Sequence, residues 1–324
     1  MRLKLRLPPP YAWLSLHLMS PSSHNLWLSR FTALRVDPDK GKGRAPHKPL
    51  LLLAVLDLIE TGLLADGWVT RSPDLVVRFQ NFWPIVEPRR QNRGDICMPF
   101  HALSNDGVWR VIDEDGRPSR AKGTSTRAQI SDDLLPLLAD SKFRAQLRRL
   151  LVTTYFPPNE QVSLFAALGF EAETDRPELS ALAEDQTRYR VAKETGRRAR
   201  FKTQVVSGYQ FTCALTGYRL TTVDQAGIVE AAHIYQHAKS RNNDPDNGLA
   251  LTPTAHALFD LGLWSVADDL RVLVKPAAVF TEEFPFAGFS LRALTGRPLF
   301  LPSITKLRPH PGHLRWHRQE HQFE

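Results

Sequence analysis

Val229-Glu230-Ala231-Ala232-His233-Ile234, then Asn247-Gly248-Leu249-Ala250-Leu251, then His256-Ala257-Leu258-Phe259-Asp260-Leu261-Gly262-Leu263 is the stretch that decides the carboxy-terminal half of this chain. A short strand fits Ile228 to His233, a loop runs on to Asn247-Gly248, and a short helix fits Pro253 to Phe259. His233, Asn247 and His256 therefore lie 14 and then 9 residues apart, on a strand end, in a loop and on a helix. That order can hold a metal ion between two β elements and a helix. Outward from it, a basic helix holds Phe201, Val205 and Val206. A hairpin is expected over Phe211 to Leu215 and Arg219 to Thr221, turned at Thr216-Gly217. Two further strands fit Leu263 to Val266 and Arg271 to Val274, turned at Asp268-Asp269.

From about Tyr209 to Val274 the sequence closely resembles the HNH endonucleases, a family with a ββα-metal fold. The resemblance implies DNA cleavage with a divalent ion, Mg²⁺, Mn²⁺ or another transition metal. On that reading His233, neutral near pH 7, takes the proton of the attacking water. His256 ligates the metal, which steadies the departing oxygen. Asn247 orients the base and its loop. Many family members place Asp or His immediately before the base, where this chain has Ala232. Glu230, two residues earlier and on the same strand face, can substitute as a metal ligand directly or through water. Relatives that bind structural zinc carry paired Cys-x-x-Cys knuckles. Here Thr216 stands at that spacing from Cys213, so no structural zinc is expected and Cys213 reads as a small core residue. His237 reads as a solvated loop residue, and His310, His313, His317 and His321 as part of a basic tail.

Upstream, two charge blocks meet. Residues 171–185 hold six acids against one base, and residues 186–204 seven bases against one acid, Glu194. Such a switch marks a linker followed by a new module. The expected division is an extension over 1–25, poorly ordered, a DNA-reading domain over 26–171 and a linker over 172–187. The HNH domain then spans 188–300 and a basic tail 301–324. The fold class is α+β, a mixed α/β amino-terminal domain followed by a ββα-metal domain. In the first module a helix fits Leu26 to Val36. A second, apolar nearly all round, runs from Pro49 to Ile59 and should be central. A strand fits Val108 to Ile112, and an amphipathic helix carries Phe143, Leu147, Leu150 and Leu151.

Arg44-Ala45-Pro46-His47-Lys48-Pro49 with its leucine run, Met98-Pro99-Phe100-His101-Ala102-Leu103 with Asp106-Gly107-Val108-Trp109, and Tyr155-Phe156-Pro157 resemble the sulfur-binding domain of McrA-like restriction endonucleases. The resemblance implies recognition of phosphorothioate DNA. It maps an apolar sulfur pocket onto Met98, Pro99 and Ala102, with Met98 where relatives tend to carry Tyr. Sulfur in place of a phosphate oxygen leaves the charge but is larger, softer and less hydrated. An apolar pocket prefers it, because oxygen loses its water there without compensation. Arg44, His47 and Lys48 would bond the modified phosphate and its neighbours. Arg89, Arg90, Arg93, Arg117, Arg120 and Lys122 are further basic candidates in loops, where a solvated surface is the plain alternative.

The remaining bounds are coarse. The chain has 324 residues, 42% hydrophobic and 23% charged, enough for two domains. Net charge +8 points to nucleic acid as a partner. Two cysteines, Cys97 and Cys213, exclude a disulfide framework and make a reducing cytoplasmic setting the default. No apolar run approaches the roughly 20 residues of a membrane span. Arg2, Lys4 and Arg6 ahead of a leucine-rich stretch faintly mimic an export signal, but Pro8-Pro9-Pro10 cuts it. The expectation is a modification-dependent endonuclease acting on double-stranded phosphorothioate DNA. Cutting both strands would call for two chains, as in a homodimer, or two visits. The rivals are a methylcytosine-dependent HNH enzyme, a DNA-binding protein with an inactive HNH fold, and a general nuclease whose first module binds another protein.

Overall fold

The structure, a computed structural model, describes residues 21–38, 43–89, 94–113, 115–119, 125–170, 185–222, 226–283 and 290–323. Residues 1–20, Arg90, Arg93, Arg120, Lys122 and most of the expected linker lie outside these. No helix among the described residues is long and apolar enough to cross a membrane.

Helix α1 spans Pro21–Thr32, so it opens five residues before Leu26, with proline in its first turn. His24 packs its ring 4.4 Å from that of Phe143. Residues 21–25 thus lie in a helix, contrary to the extension expected there. Helix α2, His47–Glu60, buries Pro49 through Leu56 and Leu58 and forms the centre of the first core. Its side chains meet neighbours on every face, as a helix with no polar stripe requires. Around it stand α3 (Pro73–Val86), α4 (Cys97–Ala102), α5 (Leu135–Ala139), α6 (Ser141–Tyr155) and α7 (Pro158–Leu168). A small antiparallel sheet of β1 (Trp68–Thr70), β2 (Trp109–Ile112) and β3 (Arg127–Ile130), in the order β1-β3-β2, closes one side. Its register sets Trp68 opposite Gln129 and Trp109 opposite Ile130.

Helix α8, Gln186–Gly208, is capped by Asp185, whose side chain accepts from the Arg188 amide. It serves both halves of the chain. Ala199 lies in the first core, while Phe201 and Val205 lie in the second. Ser163 Oγ on α7 donates to the Ala192 carbonyl at 2.9 Å. Toward α3, Ser207 Oγ donates to Asp74 Oδ1 at 2.7 Å and Asn81 Nδ2 to Thr203 Oγ1 at 2.8 Å.

The second core is built on β4 (Glu230–His233) paired antiparallel with β5 (Gly248–Leu251), Glu230 opposite Leu251 and His233 opposite Gly248. Gly248 is dictated by close approach: a Cβ there would stand 2.4 Å from Val205 Cγ2 and 2.9 Å from Phe201 Cε2. Helices α9 (His237–Ser240) and α10 (Pro253–Asp260) and the hairpin of β6 (Trp264–Val266) and β7 (Val272–Val274) complete the unit.

Two expectations change here. The hairpin over 211–221 shrinks to a single bridge, Thr212 to Arg219. Gln210 and Phe211 adopt left-handed backbone at φ 51° and 59°, which curls the chain at the exit of α8 instead of extending it. The carboxy-terminal residues are not a loose basic tail. Pro311–Glu320 forms helix α11, with Leu314, His317 and Arg318 buried. The His317 ring stacks on Phe259 with centroids 3.7 Å apart. Its Nδ1 meets Ser265 Oγ at 2.8 Å and its Nε2 the Phe259 carbonyl at 3.2 Å. Burial drives the His317 pKa down to about 3, so the ring is neutral. Arg318 donates to the Val266 carbonyl and pairs with Asp268 at 2.6 Å.

Candidate active site

His233 ends β4 with its ring stacked on Phe201 of α8, centroids 4.0 Å apart and nearly parallel. Burial is the largest influence on it and lowers its pKa to about 4, with the neighbouring charges of His237, Arg198 and His256 acting the same way. The imidazole is therefore neutral at ordinary pH, the form a general base needs.

Its hydrogen-bond partner is Asn243, with Oδ1 3.1 Å from His233 Nε2. Asn247 makes no hydrogen bond to the ring. It is fully buried and holds the following loop: Oδ1 accepts from the Tyr235 amide, and Nδ2 donates to the Tyr235 and Asn242 carbonyls at 3.0 and 3.1 Å. Tyr235 in turn stacks on Trp316 of α11 at 4.2 Å. The carboxy-terminal helix thus braces the loop that follows the candidate base.

His256 sits on α10, where Trp264 Nε1 ties the adjacent Ala255 carbonyl at 3.0 Å. Its Nδ1 lies 2.7 Å from Glu230 Oε1, and its Nε2 is 3.5 Å from Asp260 Oδ2. Strand pairing explains the meeting: Glu230 lies opposite Leu251, two residues before the helix opens at Pro253. Ala232 is fully buried in the apolar core, so a carboxylate at that position would be desolvated. One carboxylate and one imidazole from two elements converge on a surface open to solvent, 53% and 25% exposed. This oxygen–nitrogen set fits a divalent ion that keeps its other positions for water and phosphate oxygen. Among the described residues no three His, Cys, Asp or Glu form a closed metal cage.

Nothing in the sequence singles out Asn243 or Glu194 as site residues, and His237 reads there as a solvated loop residue. His237 is instead only 11% exposed in its side chain and contacts Glu194 Oε1 at 2.6 Å. Nothing periodic marks these residues; only the loop brought against α8 brings them together. Cys213 is fully buried, as a core residue should be.

In the first module the two predicted pieces lie side by side, α4 packing on α2. Met98 is 55% exposed, Ala102 half-buried one turn along, and Pro99 faces the core. The three lie on one short helix, and only Met98 and Ala102 reach the surface. Arg44 is exposed with its guanidinium 5.5 Å over the Tyr155 ring, and the His47 ring lies 4.9 Å from that of Trp83. Arg117 is exposed. Lys48 is turned inward: Nζ donates to Asp106 Oδ2 at 2.5 Å and to the Arg35 carbonyl at 2.8 Å. That pair is nearly buried and fastens α2 to the turn after α4, so Lys48 is not presented to a phosphate in this arrangement.

Comparison with known proteins agrees with this two-part design. Residues 213–267 match the HNH endonuclease family and residues 76–173 the ScoMcrA-like DNA sulfur-binding domain. The first range contains Glu230, His233, Asn247 and His256. The second contains Met98, Pro99, Ala102 and Arg117, but not Arg44, His47 or Lys48. No curated protein matches the chain. A solved structure described as a modification dependent TagI restriction endonuclease is 20% identical over 38% of this chain and 37% of that one, with a TM-score of 0.28. This chain therefore covers well under half of that protein. A stretch matching the ScoMcrA-like DNA sulfur-binding domain is thus followed along the chain by one matching the HNH endonuclease family.

Proposed function

We propose that the chain is a modification-dependent endonuclease that reads phosphorothioate DNA with its first module and hydrolyses a nearby phosphodiester with its second. The observation that carries this reading is His233, neutral and half-buried at the end of β4 and within reach of the charge of His256, which pairs with Glu230 on an open surface. His233 removes a proton from water, the resulting hydroxide oxygen bonds to phosphorus, and the P–O3′ bond breaks. The departing alkoxide takes a proton from solvent, leaving a 3′-hydroxyl and a 5′-phosphate. Glu230 and His256 would hold a divalent ion, which when bound supplies positive charge opposite the leaving oxygen. The Asn247 clamp keeps the loop after His233 in place while the duplex docks.

On the first module, the exposed thioether of Met98 with Ala102 offers an apolar spot to sulfur. Arg44 and Arg117 offer positive charge to neighbouring phosphates. A second reading, a DNA-binding protein with an inactive HNH fold, is favoured by Ala232, which stands where many HNH family members carry a metal-ligating Asp or His. Nicking of a phosphorothioate plasmid with Mg²⁺, Mn²⁺ or chelator separates the two. His233→Ala should abolish metal-dependent nicking while sulfur-DNA binding persists. Unchanged nicking by that variant removes His233 from the chemistry, and no nicking by the parent chain under any metal favours the inactive fold.

A further inference from the structure

Between its two packed halves, α8 directs Glu194 at the loop beside His233. Glu194 Oε1 accepts from Asn243 Nδ2 at 2.8 Å, and His237 Nε2 stands 2.6 Å from the same oxygen. Arg198 Nη2 faces His237 Nδ1 at 3.3 Å. A guanidinium only donates, so His237 Nδ1 accepts and its Nε2–H is left for Glu194. The same donor–acceptor logic runs through Asn243. A carboxylate only accepts, so the amide must turn Nδ2 toward Glu194 and Oδ1 toward His233. Amide oxygen also only accepts, so the 3.1 Å contact requires the hydrogen on His233 Nε2. The neutral ring then keeps its lone pair on Nδ1, which has no hydrogen-bond partner among the described residues.

We infer that Glu194 is a positioning residue: acting through Asn243, it holds His233 as the Nε2–H tautomer and makes Nδ1 the nitrogen that accepts the water proton. The step it serves rests on the hydrolysis proposed above, whereas the tautomer does not. An inverted Asn243 amide would set its oxygen 2.8 Å from the Glu194 carboxylate oxygen, a repulsive contact that no tautomer of His233 relieves. Glu194 is also the only acid in the basic stretch 186–204. It stands on the helix whose Gly196 crosses α7, so the base is oriented from an element that the recognition module holds.

The test is the full-length chain with ¹⁵N-labelled histidine, its imidazole nitrogens read by long-range proton–nitrogen spectra at pH 7.5. His233→Gln identifies the His233 signals. The parent chain should show His233 protonated at Nε2 and bare at Nδ1. Glu194→Ala should give a mixture of tautomers and a fall in kcat of about 10- to 100-fold, the usual scale for outer partners of a site, with KM for phosphorothioate duplex unchanged. Glu194→Gln, which keeps an oxygen to accept from Asn243, should restore both the tautomer and most of the rate. Asn243→Ala repeats the test without altering α8, should Glu194→Ala fail to fold. An Nδ1–H signal in the parent chain overturns the inference, as do an unchanged tautomer and rate in both alanine variants. If the parent cuts no DNA and yet its tautomer responds to Glu194→Ala, the positioning stands and the proposed hydrolysis falls.

Discussion

Replacing Gly196 by Ala probes the crossing on which both modules depend. A Cβ at that position would stand 2.0 Å from the Ser163 carbonyl oxygen, 2.8 Å from Ala166 Cβ and 2.9 Å from the Ala167 amide. Non-bonded heavy atoms settle near 3.5 Å, so the helices must separate by on the order of 1 Å. Alanine gains about 1 kcal/mol over glycine in helix propensity. Overpacking costs about 1–3 kcal/mol, and the upper end applies because two of the three obstacles are backbone atoms. The balance is a loss of about 2 kcal/mol. In a chain of this size that lowers the thermal midpoint by about 4 °C, read by fluorescence or calorimetry. A displacement of that size also carries Glu194, two residues away, beyond hydrogen-bond reach of Asn243, now 2.8 Å off. Nicking should therefore drop about tenfold or more in protein that is still folded at the assay temperature. An unchanged or raised midpoint would show that α7 and α8 do not pack at Gly196, and would refute the reasoning.

Three other outcomes follow from named contacts. His317, with its pKa held near 3 by burial, binds fewer protons folded than unfolded between that value and about 6.5. Stability from it is whole above pH 6.5 and is lost on acidification at up to about 1.4 kcal/mol per pH unit. His317→Gln should be less stable than the parent at pH 7.5, the gap narrowing by about 2 kcal/mol at pH 5 in urea unfolding. Parallel pH dependences would contradict the burial of that ring. Lys48→Met strands Asp106 in a nearly dry site and should cost about 3 kcal/mol, seen as a lower thermal midpoint. A variant as stable as the parent that binds sulfur-DNA poorly would instead place Lys48 on the DNA. Met98→Asp, on an exposed position, should change stability by less than about 0.5 kcal/mol. In anisotropy titrations it should nevertheless abolish the preference for a duplex with one phosphorothioate over plain DNA. A retained preference would move the sulfur contact elsewhere.

Where position follows spacing along the chain, the sequence was legible. His233, Asn247 and His256 occupy the strand end, the loop and the helix expected of them, because pairing of β4 with β5 and a proline-opened helix are local events. Glu230, suggested by strand alternation, does reach His256. The leucine run of α2 read as a central helix because no polar stripe interrupts it. What escaped was set by contacts between distant segments. Asn243 rather than Asn247 bonds His233, since which of two asparagines in a loop meets the ring depends on where α8 lies. Helix α11 was hidden because its buried face is built partly of His317 and Arg318, which read as solvent-loving until Phe259, Ser265 and Asp268 supply them with partners. Lys48 looked like a phosphate ligand because its charge was visible and its buried partner Asp106, 58 residues away, was not.

The double service of α8 bears on any attempt to exchange the first module between chains of this design. Ala199 and Phe201 fall in different hydrophobic interiors two residues apart, so a splice anywhere between Gln186 and Gly208 wounds both. A grafted module must accept the whole helix and offer it a groove shallow enough for a residue without a side chain. Chimaeras joined upstream of residue 186 meet the first condition, and the fit of the borrowed groove then decides which of them keep the second core intact.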